Sequence, residues 1–200
     1  LLKGTPTLSR YRLLDAPQEL TDEYIQDRLK HHSFVDIEAT AEEASLGWVE
    51  ILNTQASDFE PASFRFGSFI AFVARLDHRR LAAKTLNRYY QIREAEFVAQ
   101  AGRKPNAQKK KELKEALRQE LLRRSLLDTE LLEVLWFPQE MEIWLGGAGE
   151  KKRALFEDLW ERTFGLGARL LVPITLGLET LTKAEAEALL QIESSSLWAE

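Results

Sequence analysis

The chain contains no cysteine, one methionine and three histidines in 200 residues. Without thiols it has no disulfide framework, no thiolate zinc site, no iron–sulfur cluster and no cysteine nucleophile. That composition fits a reducing, cytoplasmic compartment. Ten glycines and six prolines are too few for a collagen-like or low-complexity chain. No apolar run approaches the length of a membrane span, and the opening Leu1-Leu2-Lys3-Gly4 lacks a signal-peptide pattern, so no membrane partner is expected. What is present is ordinary globular composition, 44% hydrophobic and 30% charged. The length suits one large domain or two merged ones, able to bury roughly 70% of the surface of the unfolded chain.

Catalytic patterns are equally scarce. His31 and His32 are adjacent, so on a helix they should diverge, and with His78 they complete the set; there is no H-E-x-x-H. No G-x-S-x-G elbow marks a serine nucleophile. Two stretches, Glu112-Leu113-Lys114 and Glu150-Lys151-Lys152, match the loose acid-x-Lys pattern of metal-dependent nucleases. With acidic side chains at 32 positions, about two such matches arise by chance, and neither is expected on a strand. Gly146-Gly147-Ala148-Gly149 could cradle an anion, but it lacks the GK[ST] of a phosphate loop and reads as a turn between strand and helix. The expectation is a protein with no catalytic residues, no metal and no cofactor.

Periodicity predicts strands at Thr7–Leu14, Trp48–Leu52, Ala62–Phe66, Phe69–Arg75, Leu131–Phe137, Met141–Leu145 and Arg169–Ile174. The first ends at the breaker Asp15-Ala16-Pro17, and Gly67-Ser68 makes a tight turn. Phe69–Arg75 is apolar on both faces and should be central. Pro173 places the last strand at an edge or at its own end. Helices are expected after the N-cap Thr21 (Tyr24, Ile25, Leu29, His32), over Leu81–Ala101, over Gln108–Arg124, around Leu155–Phe164, and after the cap Thr182 (Ala186, Leu189, Leu190). Gly102 and Pro105 break the second from the third. Strand pairs joined by short turns imply an α+β fold, mostly antiparallel sheets with helices packed on one face and a protruding basic helical hairpin. The expected division is 1–80, an N-terminal α+β half; 81–125, the hairpin; and 126–200, a C-terminal α+β half, merged into one unit.

Charge is the strongest signal. The net charge is −5, yet Arg75 to Arg124 holds 15 Lys/Arg against 6 Asp/Glu, a net +9, and the rest holds 12 against 26, a net −14. A positive field on one region, with acidic surroundings that repel polyanions elsewhere, suits a nucleic acid. Lys110, Lys114 and Arg118, spaced by four, should form one solvent-facing stripe with successive members about 6 Å apart. Lys109 and Lys111 flank it, and Leu113, Leu117 and Leu121 should lie on the opposed side. Arg123 and Arg124 close that helix. Arg79, Arg80, Lys84 and Arg88 form a second stripe on the preceding helix, and Arg103 and Lys104 sit in the loop between. Such rows read phosphates rather than bases. Aromatic interleaving with the cations is thin, which favours double-stranded DNA over single strands.

The chain resembles the RdgC family of bacterial recombination-associated proteins. The resemblance rests on Arg10-Tyr11-Arg12-Leu13, Gly47-Trp48-Val49, the apolar strand Phe69 to Arg75, Lys111-Glu112-Leu113-Lys114 with Leu121-Leu122, the strands around Trp136 and Trp144, Lys151-Lys152 and Val172-Pro173, in that order between about Thr7 and Thr175. It implies a non-enzymatic, sequence-blind binder of duplex DNA that clamps around it as a ring-shaped homodimer, is nucleoid-associated, and restrains recombination by indirect competition with RecA. It also implies a dimer contact at Leu126, where the family has a phenylalanine after L-L-P-R-A, against Leu121-Leu122-Arg123-Arg124-Ser125 here. The family's best-known members are longer at the C-terminus. Two rival readings stay open: a metal-dependent nuclease, and an interaction module whose basic hairpin binds an acidic protein.

Overall fold

The strand Phe69–His78 is built from apolar residues in both registers, and its first half is buried on both sides. It is an interior strand of the sheet, paired on both sides. A computed structural model describes residues 7–16, 20–147 and 149–191. In chain order the elements are β1 (Leu8–Leu13), α1 (Asp22–His31), β2 (Ala44–Glu50), α2 (Pro61–Phe64), β3 (Arg65–Phe66), β4 (Phe69–His78), α3 (Ala83–Ala101), α4 (Ala107–Arg124), β5 (Asp128–Phe137), β6 (Glu142–Gly146), α5 (Glu150–Phe164), β7 (Ala168–Leu170), α6 (Pro173–Thr180) and α7 (Lys183–Leu190). All seven strands join one antiparallel sheet of order β2-β4-β5-β6-β1-β7, with β3 hairpinned onto β4. The fold is α+β, as the strand and helix patterns imply.

One face of the sheet carries Tyr11, Trp48, Phe72, Val134, Trp136, Ile143 and Leu145, all fully buried. The apolar stripe of α5, Phe156, Leu159, Trp160 and Phe164, closes over them, with α1 beside it contributing Ile25 and Leu29. Phe72, Trp136, Trp160 and Phe164 form a mutual aromatic cluster, with ring centroids 4.6 to 6.5 Å apart. Each such ring contributes large area, and tilted or edge-on pairs add about 1 kcal/mol. Two polar ends of this core are placed: Trp48 Nε1 donates to Thr163 Oγ1 at 2.8 Å, and Tyr11 donates to Glu157 at 2.9 Å; the indole Nε1 groups of Trp136 and Trp160 are buried with no hydrogen-bond partner among the described residues.

Local signals act where expected. Thr21 caps α1 by accepting from the Tyr24 N–H, and Glu185 accepts from the Thr182 N–H at the start of α7. Gly67 takes a positive φ of 62° in the β3–β4 turn. Three expectations are corrected. The strand expected at Trp48–Leu52 instead runs Ala44–Glu50, starting four residues earlier and ending two residues sooner. Ala62–Phe66 is not a single strand: Pro61 starts the one-turn α2, and only Arg65 and Phe66 pair with β4. Arg169–Ile174 is cut to Ala168–Leu170 at the sheet edge, and Pro173, pre-set in φ and lacking an N–H, begins α6. Pro17 and Ala148 lie outside the described residues, as does the side chain of Leu190.

Gly47 is fixed by a close approach. A Cβ there would lie 2.5 Å from the backbone of Phe34, where Phe34 N–H donates to Trp48 and Trp48 N–H donates to His32. The neighbouring atoms are main chain and cannot step aside. Gly47→Ala is expected to lower the unfolding free energy by about 1–3 kcal/mol, measured by denaturant titration, with an unchanged slope. Wild-type stability in that variant would show that the Phe34 segment is not held against β2.

Candidate nucleic-acid interface

The basic block folds as the α3–α4 hairpin, inserted between the central strands β4 and β5. At about 1.5 Å per residue it is an arm roughly 28 Å long. Gly102 ends α3 in the left-handed conformation (φ 66°), and Asn106 caps α4 by accepting from Lys109 N–H at 2.8 Å. Each helix is the other's main neighbour, and no residue of α3 is fully buried. In α4 only Leu117 and Leu122 are. An arm with so little core is held largely by polar contacts.

Arg79 is placed differently from the sequence expectation. Its side chain is only 6% exposed. Its guanidinium donates to four carbonyls: Ile37 (3.1 Å), Glu42 (2.9 Å), Glu38 (2.8 Å) and Ser125 (3.3 Å). Its own N–H donates to Glu43 at 2.8 Å. Arg79 therefore ties the acidic loop 36–43 to the end of β4 and to the root of the arm, and has little donor capacity left for a phosphate. Beside it, Arg75 grips Asp77 with two bonds of 3.0 and 2.7 Å and lies 4.3 Å over the Phe34 ring. Burial pushes the Asp77 carboxyl up, but the bonds from Arg75 and Thr129 and the Arg75 charge outweigh it and hold the group below its usual range.

Lys110, Lys114 and Arg118 do share a stripe, but it is not opposed to the leucines. One residue of offset is about 100° around a helix, so the stripe runs beside Leu113, Leu117 and Leu121. There each cation meets another element. Lys110 pairs with Glu94 of α3 at 3.4 Å, Lys114 lies 6.0 Å over the Tyr90 ring, and Arg118 pairs with Glu43 of the acidic loop. Arg93, which the sequence reading passed over, bridges to Glu120 at 2.9 Å, and Arg124 meets the same carboxylate at 3.0 Å. Lys109 pairs with Glu112 at 3.2 Å, and its bond, with that of Gln108, holds the Glu112 carboxyl low.

The remaining cations point to water. Lys84 and Arg88 lie four residues apart on the side of α3 away from α4; Arg103 and Lys104 form the tip; Lys111 and Arg123 are on the flanks of α4. All six are exposed, and none makes a side-chain hydrogen bond or ion pair with another of the described residues. Arg80 is also exposed, donating to His78 at 3.0 Å and lying 3.7 Å from Asp128. At the tip, Arg103, Lys104 and Lys109 line an open cleft of about 380 Å³ against Phe97 and Asn106. At the root, Arg123, Arg124 and Leu126 border a second cleft of about 540 Å³. Leu126 itself is 91% exposed.

No metal centre forms among the described residues, where no three His, Asp or Glu side chains gather. His31 and His32, expected to diverge, meet edge-on at 4.9 Å, because His32 is already the C-cap and has left helical geometry. Glu112 and Lys114 lie within α4, and Glu150 and Lys152 at the start of α5.

A family model described as "Putative exonuclease, RdgC" matches residues 7–177, from the first strand into α6 with the whole hairpin inside it. The chain belongs to the RdgC family. This places it in a family associated with recombination and DNA binding. No curated protein matches the chain. In this RdgC protein the Gly-Trp-Val stretch has a structural reading: Gly47 admits the Phe34 backbone, Trp48 fills the core, and Val49 is buried on the other side.

The anchoring role of Arg79 is testable apart from its charge. Arg79→Lys keeps the charge but loses the fork that reaches four carbonyls. It is expected to destabilise the chain by about 2–4 kcal/mol, whereas Lys84→Met should change stability by less than about 0.5 kcal/mol. Thermal or denaturant melts compare them. Equal effects would mean that the Arg79 bonds do not hold the arm.

Proposed function

We propose that the chain binds double-stranded DNA through its backbone phosphates, without sequence preference, using the outward cations of the α3–α4 arm. The observation that carries this is the set of six unpaired, exposed cations, Lys84, Arg88, Arg103, Lys104, Lys111 and Arg123, on a projecting hairpin of a chain that is otherwise acidic. Phosphate contacts position a duplex and carry no sequence information. Arg80, Lys109, Lys110, Lys114, Arg118 and Arg124 surround them and can exchange their carboxylate partners for phosphate. Membership of the RdgC family supports the ligand. The arm presents no acyl- or phosphoryl-transfer constellation, so the activity proposed is binding rather than strand cleavage. Acting as a dimer with Leu126 at a subunit contact, and occupying DNA that RecA would otherwise use, the protein would restrain recombination at the nucleoid.

Fluorescence anisotropy with two unrelated duplexes of equal length, at several salt concentrations and with or without magnesium, tests this. If the six outward cations each neutralise one phosphate, log K falls with log[salt] at a slope of about −5, and the two duplexes bind within about threefold. Lys84→Glu with Arg88→Glu and Lys111→Glu is expected to weaken binding by more than about tenfold and to lower the slope by about 3. Magnesium should leave both strands intact. Strand loss would favour the nuclease reading, and unchanged affinity in the triple variant would make the arm an ordinary solvated surface.

A further inference from the structure

Where β4 ends and the arm begins, an imidazole and a guanidinium share one carboxylate. The register sets His78 of β4 opposite Asp128 of β5. His78 Nε2 lies 3.5 Å from Asp128 Oδ2 and accepts from Arg80 Nε at 3.0 Å, while Arg80 Nη2 lies 3.7 Å from the same carboxylate oxygen. The His78 side chain is mostly buried, at 18% exposure, whereas those of Arg80 and Asp128 reach solvent. Among the described residues no other side chain pairs with Arg80.

An imidazole that accepts at Nε2 is neutral and carries its proton on Nδ1. Here Nδ1 is buried and meets no hydrogen-bond partner among the described residues. The neutral ring thus holds Arg80 but gives nothing to Asp128. Protonation reverses this, because both ring nitrogens then donate. Nε2 can no longer accept from Arg80, its proton suits Asp128, and two cations in contact repel. The other charges around the ring are already engaged. Glu130, on the same face of β5, is held by Lys152 of α5 at 2.8 Å, and that bond keeps its carboxyl below the ordinary range. Asp77, on the opposite face of β4, is gripped by Arg75, and Arg79 is committed to backbone carbonyls. Asp128 is the acid left to receive an imidazolium, and Arg80 is the cation able to leave.

We propose that His78 is a proton switch that sets how many cations the root of the arm offers to a duplex. The inference rests on the duplex reading and adds to it a dependence on pH. Histidine ordinarily changes charge between about pH 5 and 8. At the alkaline end the neutral ring keeps Arg80 folded against His78. At the acid end the ring turns its Nε2 proton to Asp128, and Arg80, three residues before α3, swings out to join Lys84 and Arg88. One more phosphate is then neutralised, so log K falls with log[salt] more steeply by about 1. Linkage makes the effect reciprocal: a bound duplex favours the charged ring.

The test uses the full chain and one fluorescent duplex, titrated at about pH 5.5 and about pH 8 over a series of salt concentrations. At the lower pH the wild-type affinity should rise by at least about threefold and the salt slope should steepen by about 1. His78→Gln keeps an acceptor for Arg80 but takes up no proton. It should bind at both pH values as the wild type does at the higher one. Arg80→Gln leaves His78 able to titrate and removes the cation it releases. It too should lose the pH effect, and its exposed site keeps the chain folded if His78→Gln melts early. A pH effect that survives in either variant overturns the proposal. So does a wild type that binds duplex equally at both pH values, a result that leaves the duplex reading standing. Absence of duplex binding at either pH, with the chain folded, overturns both.

Discussion

Four carbonyl oxygens around one guanidinium set the geometry of the basic arm. A buried charge is costly unless its donors are filled, and Arg79 fills its own from Ile37, Glu38, Glu42 and Ser125. Those carbonyls come from the acidic loop before β2 and from the residue that ends α4. The same side chain leaves the end of the central strand β4. Sheet, acidic loop and arm thus meet at one group. Since α3 has no fully buried residue of its own, the direction of the arm is inherited from this root and from Leu122 beside it.

The electrostatics follow from that arrangement. By holding the acidic loop at the root, Arg79 brings Glu43 against Arg118, while Glu94 and Glu120 occupy Lys110, Arg93 and Arg124. The side of the arm that faces the body and the partner helix is largely neutralised within the chain. The uncompensated charge is displaced outward, to Lys84 and Arg88, to the tip, and to Lys111 and Arg123. Exposed ion pairs are individually weak and easily exchanged, so the inner cations remain a reserve, while the outer six project the field that a polyanion meets first.

Much of the fold is readable locally. Caps such as Thr21 and Thr182, the break at Gly102, and the two-sided burial of β4 depend on residues near one another in the chain. The interface was legible as a segment and not as a surface. Nothing adjacent to Arg79 announces that Ile37 and Ser125 will converge on it. The pairing of Arg118 with Glu43 joins positions that only the tertiary fold brings together. Pro173 was read as marking the edge or the end of a strand, and Pro61 drew no reading, because a proline's suitability for the first helical turn becomes decisive only when the following residues cannot pair. The meeting of His78 with Asp128 was missed for a related reason. They lie on either side of the arm in the chain, and only the register of β4 against β5 sets them side by side.

Lysine reactivity in the presence of a saturating duplex tests the central claim most directly. Amines of the free protein and of the complex are acetylated briefly and compared residue by residue by mass spectrometry. Lys84, Lys104 and Lys111 on the outside of the arm are expected to become protected at least about fivefold, with lesser protection at Lys109, Lys110 and Lys114, and none at Lys30 or Lys151. Uniform labelling of the arm with and without DNA, or protection centred on Lys30 and Lys151, would contradict the account.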